Sequence, residues 1–540
     1  MQKYLKPFRL VVSAIVLLAF AFLFLDFSTS IDSVWYRALT WLQFFPSLIK
    51  FAQSLGHGLA LTAYGFIVVV ILTVLFGRVY CSYICPLGIF QDVATRCSIK
   101  ARIFRKKKFR FRFAPSKRWL RYSILVVVIL SIFADSIFLI NLLDPFSNFG
   151  RFFADLFRPV YIFVNNMLVK LFESFGSYIL YPVTITKTDP LALIVPVVML
   201  ISVVWLSVWK GRIYCNTVCP VGTLLGLISK RALFKIRINS SYCNKCGDCM
   251  FVCKSQCIDV KNMSVDFSRC VGCNNCIKSC DKNAIGYSIQ GSKVKTIINQ
   301  ETDVSKRNFL AGGAVLITSL LSGCSVKSFA ETIQHSGIKD DLNETGSGKG
   351  KIKMLPTHPA TPPGSFSKEH FTSACTACHL CVSACPTGVL RPSLFEYGFF
   401  GMMQPFMDYK QSFCNYECTR CTEVCPNGAI LPLTVDEKLT TQIGVVRFEF
   451  ENCIVYVDET ACGACSEHCP TKAIKMVHYK DELNIPEITP EICIGCGACE
   501  YACPVNPYKA VVVDGLPEHA IAQKPEDKEM EVKPLEDFPF

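Results

Sequence analysis

Six quartets of cysteine, 24 of the 31 cysteines in the chain, constrain this sequence more than any other feature. They read CNKCGDCMFVC (Cys243, Cys246, Cys249, Cys253), CVGCNNCIKSC (Cys270, Cys273, Cys276, Cys280), CTACHLCVSACP (Cys375, Cys378, Cys381, Cys385) and CNYECTRCTEVCP (Cys414, Cys418, Cys421, Cys425). Two more follow: Cys453 with CGACSEHCP (Cys462, Cys465, Cys469), and CIGCGACEYACP (Cys493, Cys496, Cys499, Cys503). Disulfide scaffolds are short and irregularly spaced, whereas metal sites recur as C-x-x-C units. In C-x2-C-x2-C-x3-C spacing, three thiolates grip one 4Fe–4S cube and the fourth cysteine reaches a neighbouring cube. Six 4Fe–4S clusters are therefore expected, with structural zinc as the competing occupant.

The crossing rule predicts how the thiols group. The first two quartets have the spacing of bacterial two-cluster ferredoxins, which places Cys243, Cys246 and Cys249 with Cys280, and Cys270, Cys273 and Cys276 with Cys253. Lys254 and Asp281 stand where a proline commonly follows the fourth cysteine. Cys257 is left over and aligns with Ala284, so it reads as a small buried residue. Among the last four quartets the outer two are regular and the inner two stretched, to C-x3-C and C-x8-C. That symmetry suggests nesting: Cys503 with the first triplet, Cys385 with the fourth, Cys469 with the second and Cys425 with the third.

The rest of the chain is apolar. A charged fraction of 18%, 41 Phe and a mean hydropathy of +0.34 point to a membrane protein. Four stretches, about 8–27, 57–77, 119–140 and 190–209, read as the main spans of an α-helical membrane domain; 160–182, with Lys170 and Glu173, reads as external or interfacial. The net charge of +13 does not indicate nucleic acid. Its densest part, twelve Lys or Arg and no acid between Arg96 and Arg121, separates two apolar runs and reads as a cytoplasmic loop. Lys3, Lys6 and Arg9, then Lys210, Arg212, Lys230, Arg231 and Lys235, place the N-terminus and the 243–280 quartets on that same side.

Two near-copies, GRVYCSYICPLG (77–88) and GRIYCNTVCPVG (211–222), follow the second and fourth apolar stretches. Each offers thiols at i and i+4, Cys81 with Cys85 and Cys215 with Cys219, on one helical face. Four thiols meeting there suit an additional metal or an iron–sulfur cluster, while small packing residues at helix ends are the alternative. The membrane half holds a single histidine, His57. A bis-histidine haem needs two, so a membrane b-type cytochrome is excluded; His57 is a candidate quinol contact or a polar anchor. Cys375-Thr-Ala-Cys378-His379 spells a c-type haem motif, but Cys381 and Cys385 continue the cluster spacing, so no haem is expected. GSGKGK (346–351) lacks the Ser/Thr of a phosphate loop.

With these motifs in view, residues 1–290 resemble the NapH-type membrane ferredoxin of quinol dehydrogenases. Residues 305–515 resemble the NapG/MauM-type periplasmic polyferredoxin, on TPPGSFSKEHF before the first motif and on the four-motif series. The whole then looks like a fusion of two proteins that are usually separate. The resemblance implies oxidation of membrane quinol and relay of electrons to a periplasmic reductase or cytochrome. It also implies an inner-membrane, multi-pass location, with the lipid bilayer and quinone as partners. Related membrane ferredoxins with C-x-x-x-C-P motifs, the NosR-like and CcoG-like proteins, imply a different role in metalloenzyme maturation or metal reduction. No threonine flavin-attachment motif is present, so no flavin is expected, and no constellation reads as a self-contained catalytic site.

SKRNFLAGGAVLITSLLSGC (305–324) reads as an export leader lying inside the chain, with a lipobox-like L-S-G-C that makes Cys324 a lipidation candidate. It heads outward from the cytoplasm and puts 375–503 on the periplasmic side; a plain interdomain helix is the alternative. The expected organisation is a membrane domain over 1–235, a two-cluster ferredoxin domain over 236–290 and a linker over 291–366. An α+β ferredoxin-like polyferredoxin over 367–515 and a disordered acidic tail over 516–540 complete it.

Overall fold

The computed structural model describes residues 4–26, 32–54, 64–104, 111–134, 136–183, 189–289 and 352–524. His57, the 305–324 segment with Cys324, and tail residues 525–540 lie outside the described residues.

The N-terminal half is helical. Helix α1 (Leu5–Leu25) is followed by α2 (Ser33–Thr40), α3 (Phe44–Ser54), α4 (Gly65–Phe76), α5 (Pro86–Phe104) and α6 (Arg118–Phe133). Next come α7 (Pro145–Ser174), which contains a π-helical stretch over Phe152–Phe157, then α8 (Ile194–Lys210) and α9 (Pro220–Ser229). Phe8, Val11, Ile15, Leu18 and Phe22 of α1 are exposed at three- and four-residue intervals, so the outward face is apolar, the inverse of a soluble helix. Helix α8 repeats this with Ile194, Val198, Ile201 and Trp205. An exposed apolar surface of this kind marks contact with lipid or with another protein.

The expectation of four main spans needs correction. Two helices, α1 and α7, are long and apolar enough to cross a bilayer. The 8–27 stretch is α1. Of 57–77, α4 supplies 12 residues, about 18 Å against a hydrocarbon core of about 30 Å. The 119–140 stretch is broken after Phe133, and α8 has 17 residues, about 25 Å. The second long helix was not among the four: the 160–182 stretch, expected outside, provides the latter part of α7. The apolar runs are short because the chain turns back on itself. Both GR-x-Y-C repeats fold inward as single turns after a positive-φ glycine, Gly77 or Gly211, and α7 starts from a buried Asp144–Pro145 break.

Two small α+β modules follow. In the first, β1 (Phe234–Ile238) and β4 (Ile285–Ile289) pair antiparallel from Phe234↔Ile289 to Ile238↔Ile285, enclosing the β2–β3 hairpin (Ile258–Asp259, Ser264–Val265). The second contains β5 (Leu390–Pro392) with β6 (Pro405–Met407), β7 (Thr441–Phe448) with β10 (Val511–Ile521), and β8 (Ile474–Lys480) with β9 (Leu483–Ile488). Strand β10 passes a bulge between Gly515 and Ala520 and continues to Ile521, so residues 516–521 belong to the sheet rather than to a disordered tail. Residues 352–366, expected in the linker, line the second module: Ile352 N donates to Asn452 Oδ1 (2.9 Å) and Gly515 N to the His358 carbonyl (2.9 Å).

The modules sit at opposite ends of α1. Lys6, near its start, lies by Lys278 and Cys273 of the first module. Phe24, near its end, lies against Gly150, which faces the Cys378 carbonyl of the second. The core of the helical domain continues into the second module, from Phe20, Phe24 and Phe149 to Phe371 and Leu380. The first module keeps a core of its own around Ile236, Phe267 and Ile285.

Candidate functional site

Each quartet is a tight loop running into a one-turn helix that carries its third cysteine. In the four regular quartets the residue before the turn, Gly247, Asn274, His379 or Gly497, is left-handed. In the stretched ones Thr419 and Gly463 are not, so the longer spacing replaces that tight entry.

In the first module Cys249 is within electrostatic reach of Cys243, Cys246 and Cys280, and Cys276 of Cys273, Cys270 and Cys253. Each triplet thus has the other quartet's fourth cysteine within reach, and Cys276 also has Cys249. Cys257 is buried with its Sγ 3.6 Å from that of Cys253, packed beside a quartet without completing one.

In the second module the nested grouping is replaced by a sequential one. Cys375, Cys378 and Cys381 lie within electrostatic reach of Cys425, and Cys414, Cys418 and Cys421 of Cys385. Cys453 and Cys465 lie within electrostatic reach of Cys503, and Cys493, Cys496 and Cys499 of Cys469. Small cavities lie between Cys385, Cys414, Cys418 and Cys421, and between Cys469, Cys493, Cys496 and Cys499. The reason is chain length. A fourth cysteine only four residues beyond its triplet reaches the nearest neighbouring loop, which the β5–β6 and β8–β9 connections bring alongside. Burial pushes the thiols up, Cys249 and Cys414 to about 11 and Cys378, Cys465 and Cys496 to about 12. A bound cation would turn such groups into thiolates near neutrality.

His379, the histidine of the haem-like motif, is fully buried between the module and the helical domain. Its Nδ1 lies 2.9 Å from both carboxylate oxygens of Asp155 in the π-helical stretch of α7, and its Nε2 donates to the Met403 carbonyl (2.7 Å). Both ring nitrogens are thereby engaged. Asp155 gives no signal in the sequence, where it is a lone acid in an aromatic run.

The two GR-x-Y-C repeats meet in the helical domain. Cys81, Cys85, Cys215 and Cys219 are all buried, and Cys85 is within electrostatic reach of the other three. Cys85 and Cys219 stand at the starts of α5 and α9, and Cys219 Sγ accepts from Gly222 N (3.4 Å). The two arginines cross over: Arg78 donates to the Cys215 carbonyl (2.9 Å) and Arg212 to the Cys81 carbonyl (2.5 Å). A Cβ on Gly88 or Gly222 would lie 2.2 or 2.0 Å from those same carbonyl oxygens, which explains the glycine after each C-P. Arg78 Nη2 is also 3.8 Å from Cys81 Sγ, and Cys215 Sγ donates to Gln91 Oε1 (3.3 Å). Sequence reading found the thiols but not the crossed arginines.

Beside this centre Asp92 binds Arg9 (2.7 Å), Arg212 (2.9 Å) and Lys254 (3.3 Å), all buried. Burial alone would raise the Asp92 carboxyl; Arg212, Lys254 and Arg9 instead hold it far below the usual carboxylate range. Among the described residues no three His, Cys, Asp or Glu converge closely enough to share a single metal ion. Four cysteines line each of the two small cavities, which is the donor set of a 4Fe–4S cube.

Sequence profiles of 4Fe–4S binding domains match residues 60–112, 191–239 and 263–286, and those of 4Fe–4S dicluster domains match 374–430 and 460–506. The first dicluster match spans both quartets of the first sequential pair, and the second takes in those of the second pair except Cys453. The chain is 32% identical over 169 residues to the methylamine utilization ferredoxin-type protein MauM of Methylophilus methylotrophus, covering 27% of this chain and 69% of that protein. It is 25% identical over 239 residues to the ferredoxin-type protein NapH of Haemophilus influenzae, covering 42% and 69%. It is 26% identical over 224 residues to the putative electron transport protein YccM of Escherichia coli, covering 41% of this chain and 54% of that protein, about half its length. No solved structure matches the chain. The chain therefore belongs to the NapH/MauM-type polyferredoxins, iron–sulfur electron-transfer proteins that bind 4Fe–4S clusters.

Proposed function

We propose that this chain is a multi-pass inner-membrane fusion of a NapH-type and a NapG/MauM-type protein that relays electrons between membrane quinol and a periplasmic reductase or cytochrome. The observation that carries this reading is the placement of two ferredoxin modules at opposite ends of one helical domain whose outer faces are apolar. The end of the densest basic stretch borders the first module, where Phe111 N donates to the Phe251 carbonyl (3.1 Å) and Arg269 Nη1 to the Ala114 carbonyl (2.7 Å), while Arg37, Lys50 and Arg158 stand at the other end. The positive-inside bias then makes the 243–280 module cytoplasmic and the 375–503 module periplasmic.

In this reading Cys243, Cys246, Cys249 and Cys280 hold one cube, and Cys270, Cys273, Cys276 and Cys253 a second. In the other module the sets are Cys375, Cys378, Cys381 with Cys425; Cys414, Cys418, Cys421 with Cys385; Cys453, Cys462, Cys465 with Cys503; and Cys493, Cys496, Cys499 with Cys469. The cubes supply one-electron carriers whose potentials their surroundings tune over roughly −700 to +450 mV. The protein orders them. Backbone amides at the loop turns point at the sulfurs, as Ala284 N does at Cys280 Sγ (3.3 Å). Burial excludes water, and the His379–Asp155 contact fixes the first quartet of the second module against α7.

Quinol added anaerobically to membranes containing the full chain reduces clusters of the 375–503 module, read by EPR. If quinol reduces no cluster, the dehydrogenase reading fails and a role in metalloenzyme maturation takes its place. Protease added to sealed, right-side-out vesicles cuts the 375–503 module and spares 243–280. The opposite pattern overturns the sidedness.

A further inference from the structure

The four thiols of the GR-x-Y-C repeats lie in a frame of buried positive charge. Arg78 and Arg212 are fully buried against the thiols, Arg9, Arg121 and Lys254 are buried nearby, and Asp92 pairs with Arg9, Arg212 and Lys254 but not with Arg78. Arg269, also buried, has its own partner in Asp266 (2.7 Å). Arg78 meets neutral groups among the described residues, the Asn216 side chain, the Ser268 and Cys215 carbonyls and the Cys81 sulfur, and a buried charge without a counter-charge is costly. Four neutral thiols leave that charge unbalanced. Several donors are also orphaned: Arg78 Nε, Arg212 Nη2 and Gln91 Nε2 are buried without an acceptor. Arg78 and Gln91 belong to side chains already in contact with Cys81 and Cys215 through their other atoms. A centre made of metal-bound thiolates and sulfide supplies both the missing negative charge and the missing acceptors.

Position adds a second, independent observation. Repeat one touches the entrance of the second quartet: Arg78 Nη1 donates to the Ser268 carbonyl (3.1 Å) and Ser82 Oγ to the Val271 carbonyl (2.7 Å). Repeat two touches the exit of the first quartet: Arg212 N donates to the Lys254 carbonyl (3.1 Å) and Asn216 Nδ2 to that of Ser255 (3.4 Å). On the other side Tyr214, next to Cys215, donates to the Leu143 carbonyl (3.1 Å). One residue on, Asp144 caps α7 by accepting from Ser147 N (2.8 Å), and Gly150 of the same helix faces the Cys378 carbonyl. The four thiols thus lie between the Cys253/Cys270 loops of one module and the Cys378 loop of the other.

We infer that Cys81, Cys85, Cys215 and Cys219 together hold a seventh, anionic iron–sulfur centre that joins the two ferredoxin modules into one conductor across the helical domain. Each step moves one electron from a reduced centre in one module to an oxidised centre in the other, with no bond made or broken. Arg78 and Arg212 are positioning residues: they fix the loops through the opposite repeat's carbonyl and balance the centre's charge. This inference goes beyond the quinol reading, because it links the two modules whether or not quinol feeds either of them.

The test uses the full chain purified anaerobically. Iron and acid-labile sulfide are expected above what six cubes account for, and Mössbauer spectra should show the extra centre. In Cys81→Ser/Cys215→Ser that excess and its spectral component disappear while the EPR signals of the six cubes remain. In proteoliposomes, reductant confined to one side reduces an impermeant acceptor on the other through the parent chain and not through the variant. Iron and sulfide that stop at six cubes in the parent chain overturn the inference, and that measurement needs no variant to fold. A zinc or copper ion alone at the thiols also overturns it, as does unimpaired transfer in a folded variant. Quinol-dependent reduction is measured on the same parent sample. Its absence sinks the quinol reading and leaves transfer between the modules standing.

Discussion

The two ferredoxin modules are attached to the helical domain by different physics. The first has its own apolar core and is fastened by buried charge: the Asp92 group and the guanidiniums of Arg78 and Arg121 on the Ser268 carbonyl. The second shares its core with the helices and adds one polar contact of note, His379 to Asp155. An apolar joint is non-directional and tolerates adjustment, whereas a charged joint fixes one geometry and is costly to break. The difference shows where geometry is held most tightly, on the side that abuts the four-thiol centre.

Asp92→Asn is the strongest way to break this contrast. It leaves Arg9, Arg212 and Lys254 buried without their carboxylate, and the expected loss is about 3–5 kcal/mol, the range for removing one partner of a buried ion pair. Denaturant unfolding of the solubilised chain, followed by the bleaching of cluster absorbance, measures it. The first module should release before the second. A variant as stable as the parent would show that the thiol centre alone balances those cations.

Asp155→Asn acts at the other joint with a smaller effect. It removes a carboxylate from a buried hydrogen bond, worth about 1.5–3 kcal/mol for a charged partner. The continuous apolar core remains, so the second module should stay docked but breathe. Hydrogen exchange is expected to quicken at 375–385 and to stay unchanged at 243–280. Equal quickening in both modules would mean that the two joints are not independent.

What could be read from the sequence follows from which interactions are local. The 24 cysteines declare themselves because each quartet lies within a short stretch, and the crossed pairing of the first module follows from one repeated spacing. The nested pairing of the last four quartets does not hold, because motif symmetry carries no information on which loops the intervening hairpins bring together. The β5–β6 hairpin, which sets the first pair, looks like ordinary loop sequence. Apolar runs identified α1 but miscounted the rest, since hydropathy registers composition and not the buried Asp144–Pro145 break or the inward turns at Gly77 and Gly211. The crossed arginines and the Asp92 group join residues up to 162 positions apart, with no local pattern to mark them.

The mildest probe lies within the second module, away from both joints. His519 on β10 bonds through Nε2 to Thr361 Oγ1 (2.7 Å), tying the 352–366 segment to the sheet. Burial pushes its imidazole down from 6.5 to about 4. The native state therefore binds fewer protons than the unfolded chain between those values, and stability is present above about 6.5 and lost as pH falls toward 4. Glu500, which burial pushes up to about 7, acts in the opposite sense over part of that range, so the informative measurement is variant against parent. His519→Gln keeps a polar side chain at the site and removes the titration. Thermal unfolding of the second module should then fall less between pH 7 and pH 5 than in the parent, with the first module's transition unmoved. An identical pH slope in both proteins would mean that His519 is hydrated in solution, and that the 352–366 segment is not held against β10 as tightly as the packing implies.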